Sequence, residues 1–490
     1  MFNDLKLEAH RPAYLQIRDY LKALIFSGVL QSGVRLPATR ELAAVLGVSR
    51  NTVIQAYQYL EDDGFIRIVQ GRGAFVTMEA PPSEKADVPY AWETLVTDYA
   101  RTAVDLDIEK KELKWEKGYI SFKSIAPDPQ LFEMDDVKRS FLNRVAVEGE
   151  KLLNYGYAQG YRNLLEYLKQ YMKAKGVSPD GKDILITNGF TEGFNLVLAA
   201  LTRPGDRIVC ENPTHNTALK IMRLAGLKVI GVPMQEDGMD VEELSRVLAS
   251  QTVKLGYLIP SYHNPTGIVM SPEKRKTVLE QFQWYRVPVV EDGFNEELRY
   301  SGAHVAPMMA LADNGSGMIY LGSLSKILFP GLRVGWIMAD ARLISYLESV
   351  KRSLNIHTSF LDQAILYEYL HTGQFEKYLK KARKVYRERH QRAVELARQL
   401  IPCRKVWGEG GLHIFIELEP SVDARQVLAE AYREKVLFMP GDIFFVNPSD
   451  GKHTFRLGIS RVTPDIMEKG FTVIGRAVRR VQSGYTEAKE

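Results

Sequence analysis

The segment GSLSKILFPGLRVG, residues 322–335, sets Lys326 just beyond the apolar run Met318, Ile319, Tyr320 and Leu321 and seven residues ahead of Arg333. A lysine in small-residue, apolar surroundings carries an amine that can add to a carbonyl. Asp292 follows the apolar run 287–290, and Asn264 stands in YHNPTG. Thr187, Asn188, Gly189, Phe190 and Thr191 form a turn leading into an apolar helical stretch. The free N–H groups at such a helix start can hold a phosphate. Ser323 and Ser325 add hydroxyls, and Arg333 adds a bidentate cation. An electron-sink cofactor such as pyridoxal phosphate needs four things: an amine, a carboxylate for the pyridinium nitrogen, a phosphate cradle and a donor to the ring oxygen. Singly, these residues have plainer readings: a surface lysine, a strand-end acid, an Asn-Pro turn. Their order and spacing join them.

Elements of the right kind surround them. From about residue 118 the chain alternates short apolar runs, at 183–187, 207–210, 227–230, 255–259 and 287–290, with helical stretches. Such alternation predicts a largely parallel α/β sheet, with ligand residues at the carboxyl ends of its strands. After about residue 400 the pattern becomes strand, helix, strand (413–418 and 454–459), which suits a smaller α+β lobe extending to about 485.

Residues 10–78 read differently. Tyr14, Ile17, Leu21, Leu24 and Ile25 repeat at helical spacing. Leu42, Val45 and Leu46 mark a second helix. Ser49 caps a third, whose buried stripe is Val53, Ala56, Tyr57 and Leu60. Strands at 65–69 and 74–76 flank a turn through Gly71, Arg72 and Gly73. Three helices and a hairpin predict a winged helix-turn-helix. Its third helix would present Ser49, Arg50, Asn51 and Thr52 to a major groove; Arg40 is placed for a phosphate, and Arg72 for a minor groove. Between head and body, 79–117 reads as a linker: PPSEKADVP is polar and Pro-rich, and 92–115 is charged with weak helical periodicity.

The chain has 490 residues, 45% hydrophobic and 25% charged, with a net charge of +4. That charge is too small to argue for nucleic acid by itself, so any basic patch must be local. Cys210 and Cys403 imply no disulfide framework, and a reducing cytoplasm is expected. The polar start MFNDLKLEAHRP lacks a signal core, no run approaches the roughly 18 apolar residues of a membrane span, and the nine histidines show no metal-ligand spacing.

The string LPATRELAAVLGVSRNTV and the step through the wing resemble the GntR-type winged helix. From YGYAQGYRNLLEYL to FRLGIS, the body resembles fold-type I aminotransferases over roughly 118–480. Together they resemble the MocR family of chimeric transcription regulators. The resemblance implies a multi-domain fold: a winged helix-turn-helix ahead of an α/β domain of fold type I. It implies pyridoxal 5'-phosphate as cofactor, double-stranded operator DNA and a small amino compound as partners, and a head-to-tail homodimer.

The resemblance also implies roles. Lys326 would form the internal aldimine and Asp292 would face the pyridinium. Asn264 would donate to the ring oxygen, and His215, in ENPTHNTAL, would stack on the ring. Ser323, Ser325, Arg333 and the turn Gly189, Phe190 and Thr191 would hold the phosphate. Tyr155 would reach a neighbouring subunit's phosphate, and Arg456 would bind a ligand carboxylate.

The chain departs from the family at one motif. Where the family reads E-D-D-Y-D, this chain reads Glu291, Asp292, Gly293, Phe294 and Asn295. Phe294 replaces a tyrosine donor, so the imine should hold its proton to higher pH and transaminase efficiency should be modest. The basic run 375–392 reads as a solvated helix face rather than a second DNA contact. The expected function is a regulator in which an amino ligand forms an external aldimine with the cofactor. The alternatives are a working aminotransferase carrying a DNA-binding head, and a scaffold that only dimerises the head.

Overall fold

The computed structural model describes residue 2 and residues 5–78, 90–293, 295–300, 302–312 and 316–484. Phe294 and residues 79–89 of the predicted linker lie outside them. The chain forms two compact units, Met1–Val96 and Thr97–Glu490.

In the first unit the helices Ala13–Phe26, Thr39–Leu46 and Arg50–Asp62 precede a hairpin of β1 (Ile66–Val69) and β2 (Gly73–Val76). The Ser49 side chain accepts from Thr52 N–H and so caps the third helix, as its sequence position predicts. Ile17, Leu21, Leu42, Val53, Ala56 and Leu60 close one small core. The hairpin strand begins at Gly73 rather than Ala74, so that glycine belongs to the ladder and not to the turn. A Cβ there would stand 2.8 Å from Arg35 Nε, whose side chain lies across the wing.

The second unit holds β3 (Ile120–Ser121), β4 (Lys182–Thr187), β5 (Arg207–Asn212), β6 (Lys228–Gln235), β7 (Gly238–Met239), β8 (Leu255–Leu258), β9 (Val289–Asp292), β10 (Met318–Ser323) and β11 (Gly335–Asp340). β4 to β11 make one sheet in the order β4-β11-β10-β9-β8-β5-β6-β7. The pairs β10–β9, β9–β8, β8–β5 and β5–β6 are parallel, while β11 runs antiparallel to both β10 and β4. The inner strands β8, β9, β10 and β11 are buried along nearly their whole length rather than alternating. The sheet corrects the sequence reading in two places. β6 runs on to Gln235, and β11, a strand absent from the sequence reading, is inserted between β4 and β10.

The smaller lobe adds β12 (Lys405–Trp407), β13 (His413–Glu417), β14 (Val436–Leu437), β15 (Met439–Pro440) and β16 (Thr454–Gly458). Four of these form an antiparallel sheet, β12-β13-β16-β15, and β14 pairs with β3. Phe122, Ile414, Ile416, Phe455, Phe471 and Ile474 are among the residues of its separate core. Part of the predicted linker is ordered within this unit, as the helices Asp98–Asp105 and Ile108–Lys111. Among the described residues no helix is long and apolar enough to cross a membrane.

Candidate functional site

Six strands of the sheet, β4, β5, β6, β8, β9 and β10, point the same way, so their carboxyl ends share one edge. Ligands of open α/β sheets bind at that edge. Asp292 ends β9, and Ser323 ends β10 with Ser325 and Lys326 just after it. The turn at Gly189 follows β4, His215 follows β5, and Asn264 lies in the loop after β8.

The groups are coupled. Tyr257 donates its hydroxyl to Asp292 Oδ2 at 2.8 Å inside the sheet. Burial pushes the Asp292 carboxyl up to about 7, against the Tyr257 hydrogen bond, which lowers it. The Lys326 ammonium is pushed down to about 8, first by burial and then by Arg456, Arg333 and Arg461, with Asp292 opposing. A buried amine brought that low is a nucleophile near neutral pH.

Asn264 is fully buried; its Oδ1 accepts from Arg456 Nη1 at 2.8 Å, and its Nδ2 has no partner. Ser325 N–H donates to Ser323 Oγ at 3.2 Å, while Ser325 Oγ is buried without a partner. Arg333 is exposed, and its Nη2 donates to Asn188 O at 3.2 Å. Gly189 has φ +73°, and a Cβ there would stand 2.9 Å from Arg333 Nη2, so a glycine keeps the guanidinium against the helix start. Thr191, on the first turn of the helix Gly189–Leu201, is exposed. The Phe190 and His215 rings are 5.3 Å apart. Burial, then Lys326 and Arg456, push the His215 imidazole down to about 3, which keeps it neutral.

Arg456, on β16, brings the smaller lobe into the site. Its Nη2 donates to Lys123 O at 3.1 Å, its guanidinium lies 5.0 Å from the Phe444 ring centre, and its Nε has no partner. Burial pushes its pKa down to about 9. Tyr155 stands apart from this cluster: it is 79% exposed, with its ring edge-on to His357 at 5.9 Å.

The sequence reading missed Tyr257 and Glu211. Tyr257 sits in a strand buried on both faces, where no alternation marks the side chain that points at the site. Glu211 is fully buried beside the site; its Oε2 accepts from Ile259 N–H at 2.7 Å and faces His263 Nε2 at 3.4 Å. Its place near the end of a strand, like that of Asp292, was the available signal.

In the head, Arg40, Arg50, Asn51 and Arg72 are exposed, and so is Gly71. The Ser49 and Thr52 hydroxyls are bonded to each other at 2.8 Å, and Arg50 Nε donates to Thr39 Oγ1 at 3.3 Å. That leaves Asn51 and the guanidinium end of Arg50 as the freest groups on the third helix's first turn.

Two buried polar atoms without partners, an amine near a carboxylate, and a glycine-floored guanidinium form a donor set that fits a phosphorylated pyridine aldehyde; the cofactor is pyridoxal phosphate. Residues 126–474 match the family described as aminotransferase class I and II, and residues 13–76 match bacterial regulatory proteins of the gntR family. Aromatic-amino-acid aminotransferase 1 of Thermococcus litoralis is 31% identical over 371 residues, which cover 74% of this chain and 88% of that protein. The probable rhizopine catabolism regulatory protein MocR of Rhizobium meliloti is 26% identical over 484 residues, 98% of this chain and 96% of its own. LysN, the α-aminoadipate aminotransferase of Thermus thermophilus solved with N-(5'-phosphopyridoxyl)-L-leucine, superposes with a TM-score of 0.73 at 29% identity, covering 80% of this chain and 99% of that one. With an aminotransferase body behind a gntR head, the chain belongs to the class I and II aminotransferase family and, within it, to the MocR-type regulators.

Proposed function

We propose that the protein is a transcription regulator whose grip on DNA responds to an amino compound captured in the body. Bound pyridoxal phosphate supplies an aldehyde that condenses reversibly with primary amines, and a ring that withdraws electrons. Lys326 holds that group, and Asp292 keeps its ring nitrogen charged. Asn264 Nδ2 donates to the ring oxygen, and His215 covers one face. Ser323, Ser325, Arg333 and the turn Gly189 to Thr191 hold the phosphate, with Tyr155 of a second subunit completing that cradle in a homodimer. Exposed apolar side chains near Tyr155, among them Leu153 and Tyr157, support such an interface.

One observation carries the regulatory reading. Arg456, on a strand of the smaller lobe, is hydrogen-bonded to Asn264 on the loop after β8. A carboxylate drawn to the Arg456 guanidinium competes with that bond. Ligand capture therefore acts on a contact that joins the two lobes, and a ligand that binds the two lobe arrangements unequally shifts their populations. An amine bearing a carboxylate is the ligand this chemistry favours.

The same residues would serve an aminotransferase, and the 31% identity to the Thermococcus enzyme supports that second reading. An absorbance spectrum taken with a panel of amino acids and amines, followed by DNA titration, separates them. A near-visible band should be present and should be lost in Lys326→Ala. Under the regulatory reading one amine shifts the band without converting the cofactor to its amine form, and changes DNA affinity. Full conversion that a keto acid reverses supports the enzyme. An amine that alters the spectrum while DNA affinity stays constant for every compound sinks the regulatory reading.

A further inference from the structure

The chain that leads out of the head is pinned to both lobes of the body. The helix Asp98–Asp105 packs against the helix Asn216–Leu224, which begins directly after His215. Asp107 Oδ2 faces Lys220 Nζ at 3.9 Å on that same helix. A few residues later the attachment passes to the smaller lobe. Arg425 Nη2 donates to Glu112 Oε1 at 3.0 Å, Arg425 Nε donates to Asp442 Oδ2, and Tyr432 donates to Lys114 O at 3.3 Å. β3 then pairs with β14 and fixes the chain in that lobe.

Between these anchors Ile108 packs into a cluster formed by Phe415, Met439 and Phe444. Phe444 is the ring lying 5.0 Å from the Arg456 guanidinium. Its carbonyl also accepts from Thr214 N–H at 2.8 Å, next to His215. A short path of packed groups thus runs from the arginine of the ligand site, through one phenylalanine, to the connector.

We propose that residues 97–117 are a strap that reads lobe position, and that Ile108, through Phe444, couples occupancy of Arg456 to the segment leading to the head. The proposal rests on the regulatory reading above and names its transmitting element. A strap tied on both sides cannot keep both attachments when the lobes shift, so the weaker attachment yields. The Glu112 carboxylate is nearly buried against Arg425. The Asp107–Lys220 pair is long and partly exposed, the kind that holds little, and the helix Asp98–Asp105 buries none of its side chains. Release therefore begins at the end nearer the head.

The test is amide hydrogen exchange on the full chain, loaded either with pyridoxal phosphate or with its stable amino-acid conjugate N-(5'-phosphopyridoxyl)-L-leucine. The conjugate should raise exchange across 98–106 by about tenfold over the pyridoxal phosphate form. Ile108→Ala should erase that difference while the conjugate still titrates with unchanged affinity. Glu112→Gln, which keeps the side chain's shape and removes its charge, should reduce it. Equal exchange in the two loaded forms overturns the strap, and so does a wild-type difference kept by both variants. Failure of the conjugate to bind, seen independently by absorbance titration, overturns the ligand reading itself and the strap with it.

Discussion

Tyr257 and Asp292 meet inside the sheet, hydroxyl to carboxylate at 2.8 Å, on neighbouring parallel strands. The phenol donates to this acid and offsets part of the burial that pushes the carboxyl up to about 7. Tyr257→Phe removes the donor and leaves the ring. The Asp292 pKa should then rise further, and less of the acid is ionised at neutral pH to face a charged ring nitrogen. A hydrogen bond to a charged group is worth about 1.5–3 kcal/mol, so cofactor affinity should fall roughly tenfold or more. Fluorescence titration with pyridoxal phosphate reads it; unchanged affinity would detach Tyr257 from the site.

The same acid sets a pH dependence in the cofactor-free protein. The Asp292 pKa is raised from 3.8 to about 7 in the fold. Between those values the folded state holds a proton that the unfolded chain has released. Stability is therefore lost as pH rises through that window and levels off above it. At roughly 1.4 kcal/mol per pH unit the loss reaches at most about 4 kcal/mol. Asp292→Asn should flatten this part of the denaturation profile measured from pH 4 to 7. A variant profile parallel to wild type would refute the assignment.

On the head, Asn51 and the outer end of Arg50 are the groups left free to read bases, while Arg40 is exposed for backbone contact and Arg72 for a minor groove. Arg50→Ala or Asn51→Ala should weaken binding to the operator by about 1–3 kcal/mol and relax its sequence preference. Arg40→Ala should weaken all sequences alike and reduce the salt slope by about 1. Titrations on specific and scrambled duplexes at several salt concentrations distinguish the two effects.

Phe294→Tyr restores a phenol at the position where the aminotransferase pattern has one. It should lower the pH midpoint of the cofactor's visible band, because a donor to the ring oxygen makes that oxygen a weaker partner for the imine proton. An absorbance titration of both proteins checks this. An identical midpoint would mean that residue 294 does not touch the chromophore.

What could be read from the chain depended on whether a residue's neighbours in sequence were also its partners. The helix cap at Ser49 and the strand-end position of Asp292 are local, and both were visible. The link between Arg456 and Asn264 spans two lobes: the motif YHNPTG marked Asn264 locally, and only the family resemblance suggested that Arg456 belonged to the same site. Tyr257 was silent because a strand buried on both faces has no alternation to break. The strap was read as a linker because its anchors, Lys220, Arg425 and Tyr432, lie more than a hundred residues away and look like ordinary helix-surface side chains in sequence.

Arg275 is the sharpest case of that last kind. In PEKRKTVLEQFQW it reads as one more charge on a solvated helix, yet its side chain is wholly buried. Nε donates to Met270 O at 3.0 Å, Nη1 to Ala306 O at 2.8 Å, and Nη2 to Pro260 O at 2.7 Å and Ser261 Oγ at 2.8 Å. Pro260, Ser261 and Met270 bracket the loop that carries Asn264, so one guanidinium ties both ends of that loop to the helix Pro272–Trp284. Arg275→Met fills similar space and strands the Met270 and Ala306 carbonyls, while Pro260 O keeps Met270 N–H at 2.8 Å. With about 1–3 kcal/mol for each of the two buried acceptors left unpaired, the variant should lose roughly 2 kcal/mol or more of stability. It should also bind pyridoxal phosphate more weakly than its residual fold predicts, because Asn264 loses its support. Arg275→Lys keeps the charge but cannot span the four acceptors and should recover only part of the loss. Chemical denaturation paired with cofactor titration on both variants measures the two effects separately. Full stability in Arg275→Met would show that the loop holds itself.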